Sequence, residues 1–510
     1  MRSRFTRGRF LTVLGACAYL ALTNAAGCAL LRRFTKLRSL HTPRANPLRA
    51  PKVWPLPSIT PAPPKGVWAF RSRPDLSPAA IEVTRRAQGT SSGYIFVALK
   101  EGAGEHGPMI IDDQGQLVWY SKHISARDFK VQRYRSKPVL SWWEGRVVLG
   151  HGVGEYVIFD DSYREIARVR AGGGQRGDLH EFLITPEDTA LLTAYARRRT
   201  DLSSIGGPDS GEVWEGIAQE VDIETGKVLF EWHSLEHVDI DESYVQPPQN
   251  PAYPYDYFHI NSIDVDHDGN LLVSARNTWS VYKIERKSGE ILWRLGGKKS
   301  DFEMGEGTRT AFQHDARRNQ DGTISIFDNG AHPKVHEESR GILVELHEKE
   351  MSATLVRAYS LPQKLLATSQ GNMQLLPEGN VFIGWGSAPF VSEFSYDGEL
   401  LLNGRFPPDG ESYRAFSFPW SGHPPEDPAL AGERLSDEKV KLYASWNGAT
   451  AVESWEVLAG RHPGQLESLG SVPRNGFETA MLAQTSYSYL VVRAKDRLGQ
   501  ALGTSAPLKL

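Results

Sequence analysis

Ile111-Asp112-Asp113-Gln114-Gly115-Gln116-Leu117-Val118-Trp119 reads as the end of one strand, a tight turn opened by Asp and closed at Gly, and a second strand ending on Trp. The phrase returns at Val221-Asp222-Ile223-Glu224-Thr225-Gly226-Lys227-Val228-Leu229, from Ile284 to Trp293, and at Phe394-Ser395-Tyr396-Asp397-Gly398-Glu399-Leu400. A companion hairpin is equally regular: Trp143 to Val148, Asp268 to Val273, Asp321 to Ile326 and Glu378 to Ile383. Between them lie short alternating strands and hardly a helical stretch. Pairing the two halves gives about six units of roughly 40–55 residues, the period of four-stranded propeller blades. The units fall near 90–120, 138–170, 178–233, 257–295, 312–360 and 368–406. An array of β-sandwiches is the competing arrangement, but a repeat this short with aromatic-ended hairpins favours closure into a ring.

Two long segments, 198–218 and the Pro- and Tyr-rich 234–256, interrupt the period. Loops of that length on a rigid scaffold are usually functional or disordered, and these could roof one mouth of the channel. After Pro419-Trp420 a Pro-rich joint (Pro424, Pro425, Pro428) ends the repeat. From 437 the strands Val440–Trp446, Ser454–Leu458 and Tyr489–Ala494 resemble a fibronectin type III module, which usually spaces or binds. The expected fold is therefore all-β: a six-bladed β-propeller over 90–420, followed by a small C-terminal fibronectin III/immunoglobulin-like β-sandwich over 437–510.

The 510 residues include 48 Gly, 31 Pro and 13 Trp, and 40% of them are hydrophobic, which excludes a disordered, collagenous or multi-span membrane chain. The formal charge of −3 conceals an asymmetry. Of 58 Lys and Arg, ten lie in residues 1–50, which hold no Asp or Glu; residues 51–510 thus set 48 basic against 61 acidic groups, a net of −13. So acidic a body lacks the electrostatic footprint of a nucleic-acid partner. Both cysteines, Cys17 and Cys28, precede the folded region, so it has no disulfide and no Cys-based metal site.

Arg2, Arg4, Arg7 and Arg9, the apolar run Phe10 to Leu22 and the small residues Asn24 to Gly27 have the shape of a secretory signal, and Ala25-Ala26-Gly27-Cys28 that of a lipoprotein processing site. An uncleaved anchor is the alternative, because Phe10 to Leu31 is long enough to span a bilayer. Residues 1–35 thus read as a signal peptide or membrane anchor, with export secreted, periplasmic or membrane-tethered. Residues 36–89 read as a proline-rich spacer.

Most of the fifteen histidines need no functional account; His106, His123, His332, His336, His347, His423 and His462, for example, sit in polar turns, strand ends or loop flanks. Aligned on their Gly turns, three others share a register. His180, His259 and His314 each precede the first turn of a unit by eight to ten residues and should open its innermost strand. Inner-strand starts crowd around one mouth of a propeller channel, so the three converge. Asn261, Asp315 and Arg317 travel with them, and Arg276 ends the paired strand. Imidazoles with guanidinium and amide donors suit a sulfate, phosphate or carboxylate, one ring as nucleophile and another as general acid/base. A three-His metal site and a purely structural cluster are the competing readings; the first is disfavoured because no Asp or Glu recurs in that register and Arg would repel a cation.

Phe258-His259-Ile260-Asn261-Ser262-Ile263, Ser274-Ala275-Arg276, Ile291 to Gly297 and Gln313-His314-Asp315-Ala316-Arg317 resemble the arylsulfotransferase family, the branch that works without the nucleotide sulfate donor. Phe327-Asp328-Asn329 and Gly371-Asn372-Met373-Gln374 do so too. The resemblance covers about residues 90–406 and implies a six-bladed propeller and a ping-pong reaction through a sulfohistidine, with an aryl sulfate and a phenol as partners and no cofactor. By position it makes His314 the covalent acceptor, and His180, His259, Asn261 and Arg276 the groups that hold the sulfuryl oxygens and manage the phenolic proton. Arg317 is a secondary oxygen-binding candidate. A non-catalytic secreted or surface-anchored binding propeller is the alternative function.

Overall fold

The computed structural model describes residues 52–57, 66–250 and 252–510. The signal or anchor reading, both cysteines and most of residues 36–65 lie outside the described residues. Among the described residues no helix is long and apolar enough to cross a membrane.

The repeated phrase folds as read. Asp112 Oδ1 accepts the backbone N–H groups of Gln114 and Gln116 at 2.9 and 2.8 Å, which bends the chain. Gly115 completes the turn at φ 80°, a conformation costly for any residue with a Cβ. The flanking strands then pair, Met109 with Tyr120 and Ile110 with Trp119.

Six antiparallel units of four strands result. The second comprises Arg127–Tyr134, Lys137–Val148, His151–Phe159 and Glu165–Val169. The third comprises Gly177–Ile184, Thr189–Thr200, Gly211–Asp222 and Val228–His233; it is continuous with the second through Gly154 and Gly177. Ile260–Val265, His314–Arg318 and Asn372–Leu375 begin the fourth, fifth and sixth. The first unit is assembled from both ends of the ring: Ser412–Phe418 is its innermost strand, beside Tyr94–Leu99. The six innermost strands touch in a closed cycle: 412–418 meets 127–134, which meets 177–184, then 260–265, 314–318 and 372–375, which returns to 412–418.

Facing sheets bury one apolar cluster per junction. Trp119, Trp142 and Trp420 fill the first, Trp143 and Tyr156 the second, Trp232, Phe258 and Tyr282 the third. Trp293, Trp385 and Trp68 mark the remaining three. Eight of the thirteen tryptophans counted in the sequence are thus wedges between units, each burial worth about 1.5–3 kcal/mol or more.

Three boundaries change. The segment 66–89 is part of the body rather than spacer: Glu82–Arg86 adds an outer strand to the sixth unit, and Val67 pairs with Ala79. Segment 198–218 is mostly an extension of the hairpin Thr189–Thr200/Gly211–Asp222, because its alternating residues continue the pairing to Thr200 and Gly211. Downstream, the two-sheet sandwich begins at Ala429–Ser436 rather than 437, and Val53–Pro55 joins it as an edge strand. Its core holds Trp455, Val457, Leu442 and Val492. It rests on the first unit: Asn447 gives its Nδ2 to Tyr120 O at 2.9 Å and accepts the Tyr120 N–H at 3.0 Å, as a neighbouring strand would.

Candidate active site

The innermost strands do not run smoothly to the mouth. Five of the six shift register near their starts, between Arg127 and Lys130, Gly177 and Phe182, Ile260 and Ser262, His314 and Arg317, and Ser412 and Ala415. Such bulges bend a strand and re-aim its side chains. Non-glycine residues with positive φ mark the same level: Asp128 (58°), His259 (56°), Phe312 (55°), Asp315 (56°) and Gln370 (66°). Backbone strain of this kind persists where surrounding packing enforces it, and two of these residues, His259 and Gln370, line one cavity.

That cavity, of about 470 Å³, is lined by His180, His259, Arg276 and His314, together with Lys100, Glu101, Arg127, Val147, Leu179, Ser369, Gln370 and Tyr413. The three histidines predicted to converge do so, from the third, fourth and fifth units, although His180 and His314 are 134 residues apart.

Their partners differ in kind. His180 Nδ1 donates to Asp178 Oδ2 at 2.5 Å, and His259 Nδ1 to Asp256 Oδ2 at 2.5 Å. The two Nε2 atoms then face each other at 3.2 Å. Burial works against ionised Asp178 and Asp256, but the imidazoles beside them prevail and hold both carboxyls below their ordinary range. With both Nδ1 atoms turned to carboxylates, the two Nε2 atoms are left facing each other at hydrogen-bond distance, where one proton could bridge them. Burial, aided by repulsion from His180 and His151, lowers the pKa of His259 to about 4.

His314 faces no carboxylate. Asn329 Nδ2 donates to Ala367 O at 2.9 Å and Gln370 O at 3.0 Å, which turns Asn329 Oδ1 toward His314 Nδ1 at 2.7 Å. Phe312 O lies 3.1 Å from the same nitrogen. With two acceptors there, Nδ1 carries the hydrogen and Nε2 keeps its lone pair, which accepts the Gln370 N–H at 3.3 Å. Burial and the charge of Arg276 push the His314 pKa well below the ordinary imidazole value, so the ring is neutral at physiological pH. Arg276 lies over the Phe312 ring, 4.8 Å from its centroid, and gives Nη1 to Asn277 Oδ1 at 2.8 Å.

Two predicted residues lie elsewhere. Asn261 is fully buried; its Nδ2 donates to Gln313 O at 2.8 Å and it ties adjacent inner strands instead of lining the cavity. Arg317 lines a separate cavity of about 580 Å³ together with Lys130, Asp264 and Asp315. Its guanidinium binds Glu181, Asp315 and Ile263 O, because the bulge at 314–317 turns it into a buried ion cluster. Segment 234–256 does not roof the mouth; it passes behind His259 and supplies Asp256.

Sequence reasoning missed Asp178, Asp256 and Asn329 as the residues that set each imidazole, and His151, which lies 3.4 Å from Asp256. No acid recurs in one register, but two of the histidines have one close by: Asp178 stands two residues before His180 and Asp256 three before His259, a spacing visible in the chain but irregular between units. His151, Asp256 and His259 could together hold a cation, their ligand atoms lying within 4.8 Å of one another. In the present arrangement the Asp256–His259 contact is a hydrogen bond, and burial opposes the charge of His151 but Asp256 prevails and raises its pKa, which serves proton holding equally well.

Residues 130–407, more than half the chain, match the model of the family described as Arylsulfotransferase (ASST). Among solved structures, similarity extends to a protein of unknown function from Bacteroides caccae (14% identity, TM-score 0.40, covering 64% of this chain and 99% of that one). It extends also to a catalytically inactive virginiamycin B lyase from Staphylococcus aureus with quinupristin (8% identity, TM-score 0.32, 79% and 99%). No curated protein matches the chain.

Proposed function

Because the chain belongs to the arylsulfotransferase family, we propose that it carries a sulfuryl group from an aryl sulfate ester to a phenolic acceptor in two steps through a sulfohistidine at His314. One observation carries the reading: the nucleophile candidate and the acid/base candidates have opposite partners. His314 is neutral, with Nδ1–H held by an amide and Nε2 unprotonated, while His180 and His259 are backed by carboxylates and face each other through their Nε2 atoms.

In the first step Arg276 binds the sulfuryl oxygens and His314 Nε2 attacks sulfur. The S–O bond to the aryl group breaks, and the departing phenolate takes the proton held between His180 and His259. In the second, the acceptor phenol returns a proton to that pair, its oxygen attacks sulfur, and the S–N bond breaks back to His314. Charge stays spread over the sulfuryl oxygens throughout, so a donor already fixed in place stabilises more than a mobile one. The basic, apolar N-terminal segment supports placing this chemistry outside the cytoplasm.

The test is 4-nitrophenyl sulfate with and without phenol. Nitrophenolate release that requires the acceptor is the expected result; release with water alone would make the protein a sulfatase, and none with a panel of phenols would leave a binding propeller. Arg276→Met should lower kcat/KM by about 10²–10³ at unchanged thermal midpoint, the effect of losing one preorganised oxyanion donor. A loss below tenfold would remove Arg276 from the sulfuryl site.

The pH profile gives an independent check. His314 stays neutral far into acid, so its protonation does not limit the acid side near the ordinary histidine value of about 6.5. His259 takes up a proton only as pH falls through about 4, which sets a positive ring against His180 at 3.2 Å. The acid limb of kcat/KM is therefore expected near pH 4. A limb between about 6 and 7 would mean that an ordinary histidine controls the reaction.

A further inference from the structure

The cavity holds a second guanidinium that the two transfer steps do not use. Arg127 opens the innermost strand of the second unit, three places around the ring from the fifth unit that carries His314. In a closed cycle of six these positions face one another, and both residues line the same cavity. Leu179, Val147 and Tyr413 line it as well and offer apolar surface to an aromatic ring.

Among the described residues Arg127 has no carboxylate in direct contact, although Glu101 lines the same cavity. Lys100, on the same wall, is paired with Glu411 at 2.8 Å. Arg127 is partly buried, yet it forms no ion pair among the described residues. Its hydrogen bonds come from Nη1 alone, to Ala126 O at 2.7 Å and Ile124 O at 3.5 Å. Glu101 and Glu411 attract it from beyond ion-pair distance, and burial outweighs them, lowering its pKa. A half-buried guanidinium with no bonded carboxylate keeps donors to spare, and a planar anion that meets Nε and Nη2 matches them.

Resting on the proposed transfer reaction, we infer that the aryl substrate carries a second anionic group, a carboxylate on the ring remote from the reacting oxygen, and that Arg127 receives it. The reacting oxygen then lies at His314 and Arg276, the ring beside Leu179 and Tyr413, and the carboxylate against the guanidinium of the opposite unit. One cation serves the group that moves and another the group that stays, which sets the orientation of the ring before sulfur is transferred.

The experiment compares 4-hydroxybenzoate with its neutral isostere 4-hydroxybenzamide as acceptors from 4-nitrophenyl sulfate, using the full chain. The ratio of their kcat/KM values should be about ten or more in favour of the carboxylate, the effect of a charge-assisted bidentate pair. In Arg127→Gln that ratio should fall close to one, and in Arg127→Lys to an intermediate value. A ratio near one in the original protein, or one that survives in Arg127→Gln, overturns the inference and leaves the transfer reaction standing. Calorimetric binding of 4-hydroxybenzoate separates the two ideas further. Binding that weakens about tenfold in Arg127→Gln supports the Arg127 site even where no transfer occurs, and binding insensitive to Arg127 refutes it.

Discussion

Replacing His314 with alanine is expected to lower kcat/KM for transfer from 4-nitrophenyl sulfate by about 10⁴ or more, the scale for losing a covalent nucleophile. The same change should erase the mass increase of one sulfuryl group that the protein acquires when mixed with donor and no acceptor. The expectation follows from hydrogen bonding rather than from position alone. Of the three histidines in the cavity, only His314 has its Nδ1 held by neutral acceptors, Asn329 Oδ1 and Phe312 O. Such partners fix the tautomer without adding negative charge behind the ring. A carboxylate there would stabilise an imidazolium and draw a proton onto the attacking nitrogen, the part proposed for Asp178 and Asp256 beside the acid/base pair.

Alanine also leaves Asn329 Oδ1 unpaired in a buried site, at about 1–3 kcal/mol, so a thermal midpoint must accompany the kinetics. His314→Asn, which offers an amide to the same space, gives a second variant. His180→Ala should behave differently. It should still acquire the label from 4-nitrophenyl sulfate, whose phenolate leaves without help, and should lose far more activity with donors of high-pKa phenols. Turnover within about tenfold of the original in both His314 variants, with the label still present, would sink the sulfohistidine.

The second large effect is on the fold. Arg414→Met is expected to destabilise the ring by about 3–5 kcal/mol, a large share of a total of about 5–15 kcal/mol. Arg414 lies in the closing strand Ser412–Phe418, and its side chain is entirely shielded from water. It reaches Asp128 at 3.1 Å, Glu181 at 3.3 Å, Asp315 at 3.2 Å and Asn261 O at 2.8 Å. One side chain therefore joins the first unit to the second, third, fourth and fifth. Burial opposes its charge, but Asp315, Glu181 and Asp128 prevail and raise its pKa well above the ordinary value.

Lys130 and Arg317 supply the other two positive charges of the cluster, against the three carboxylates. Losing Arg414 leaves one buried negative charge uncompensated, which costs more than the bonds removed. Pairing Arg414→Met with Glu181→Gln restores neutrality and should recover part of the loss in urea midpoint. A midpoint unmoved by Arg414→Met would mean that the apolar wedges alone close the ring. A double variant weaker than the single one would mean that hydrogen bonds, not charge balance, set the cost.

The local grammar of this protein was legible in its sequence. An Asp that bonds the N–H groups two and four residues ahead, and a Gly that alone tolerates positive φ, are short-range requirements, so Asp112 to Gly115 and its repeats announced the hairpins and their period. The convergence of His180, His259 and His314 was legible too, because a repeat fixes register and register fixes height along the channel. What a repeat cannot show is departure from itself. The bulges near the starts of five inner strands are cooperative with the residues packed around them. They decide that Arg276 enters the histidine cavity while Arg317 turns toward Glu181 and Asp315, and that Asn261 bonds backbone instead of substrate. The ring's closure was likewise tertiary: Ser412–Phe418 finds Tyr94–Leu99 over three hundred residues away through edge hydrogen bonds that any strand could make. The acidic body of net −13 left open where positive charge would gather; only the fold places Arg276 and Arg127 in one cavity, without a carboxylate bonded to either among the described residues, and closes the buried cluster around Arg414. Sequence determined the turns, the period and the height of each histidine, since those rest on neighbours along the chain. The structure alone decided which charges are free to meet a substrate, since that depends on neighbours brought together only by the ring.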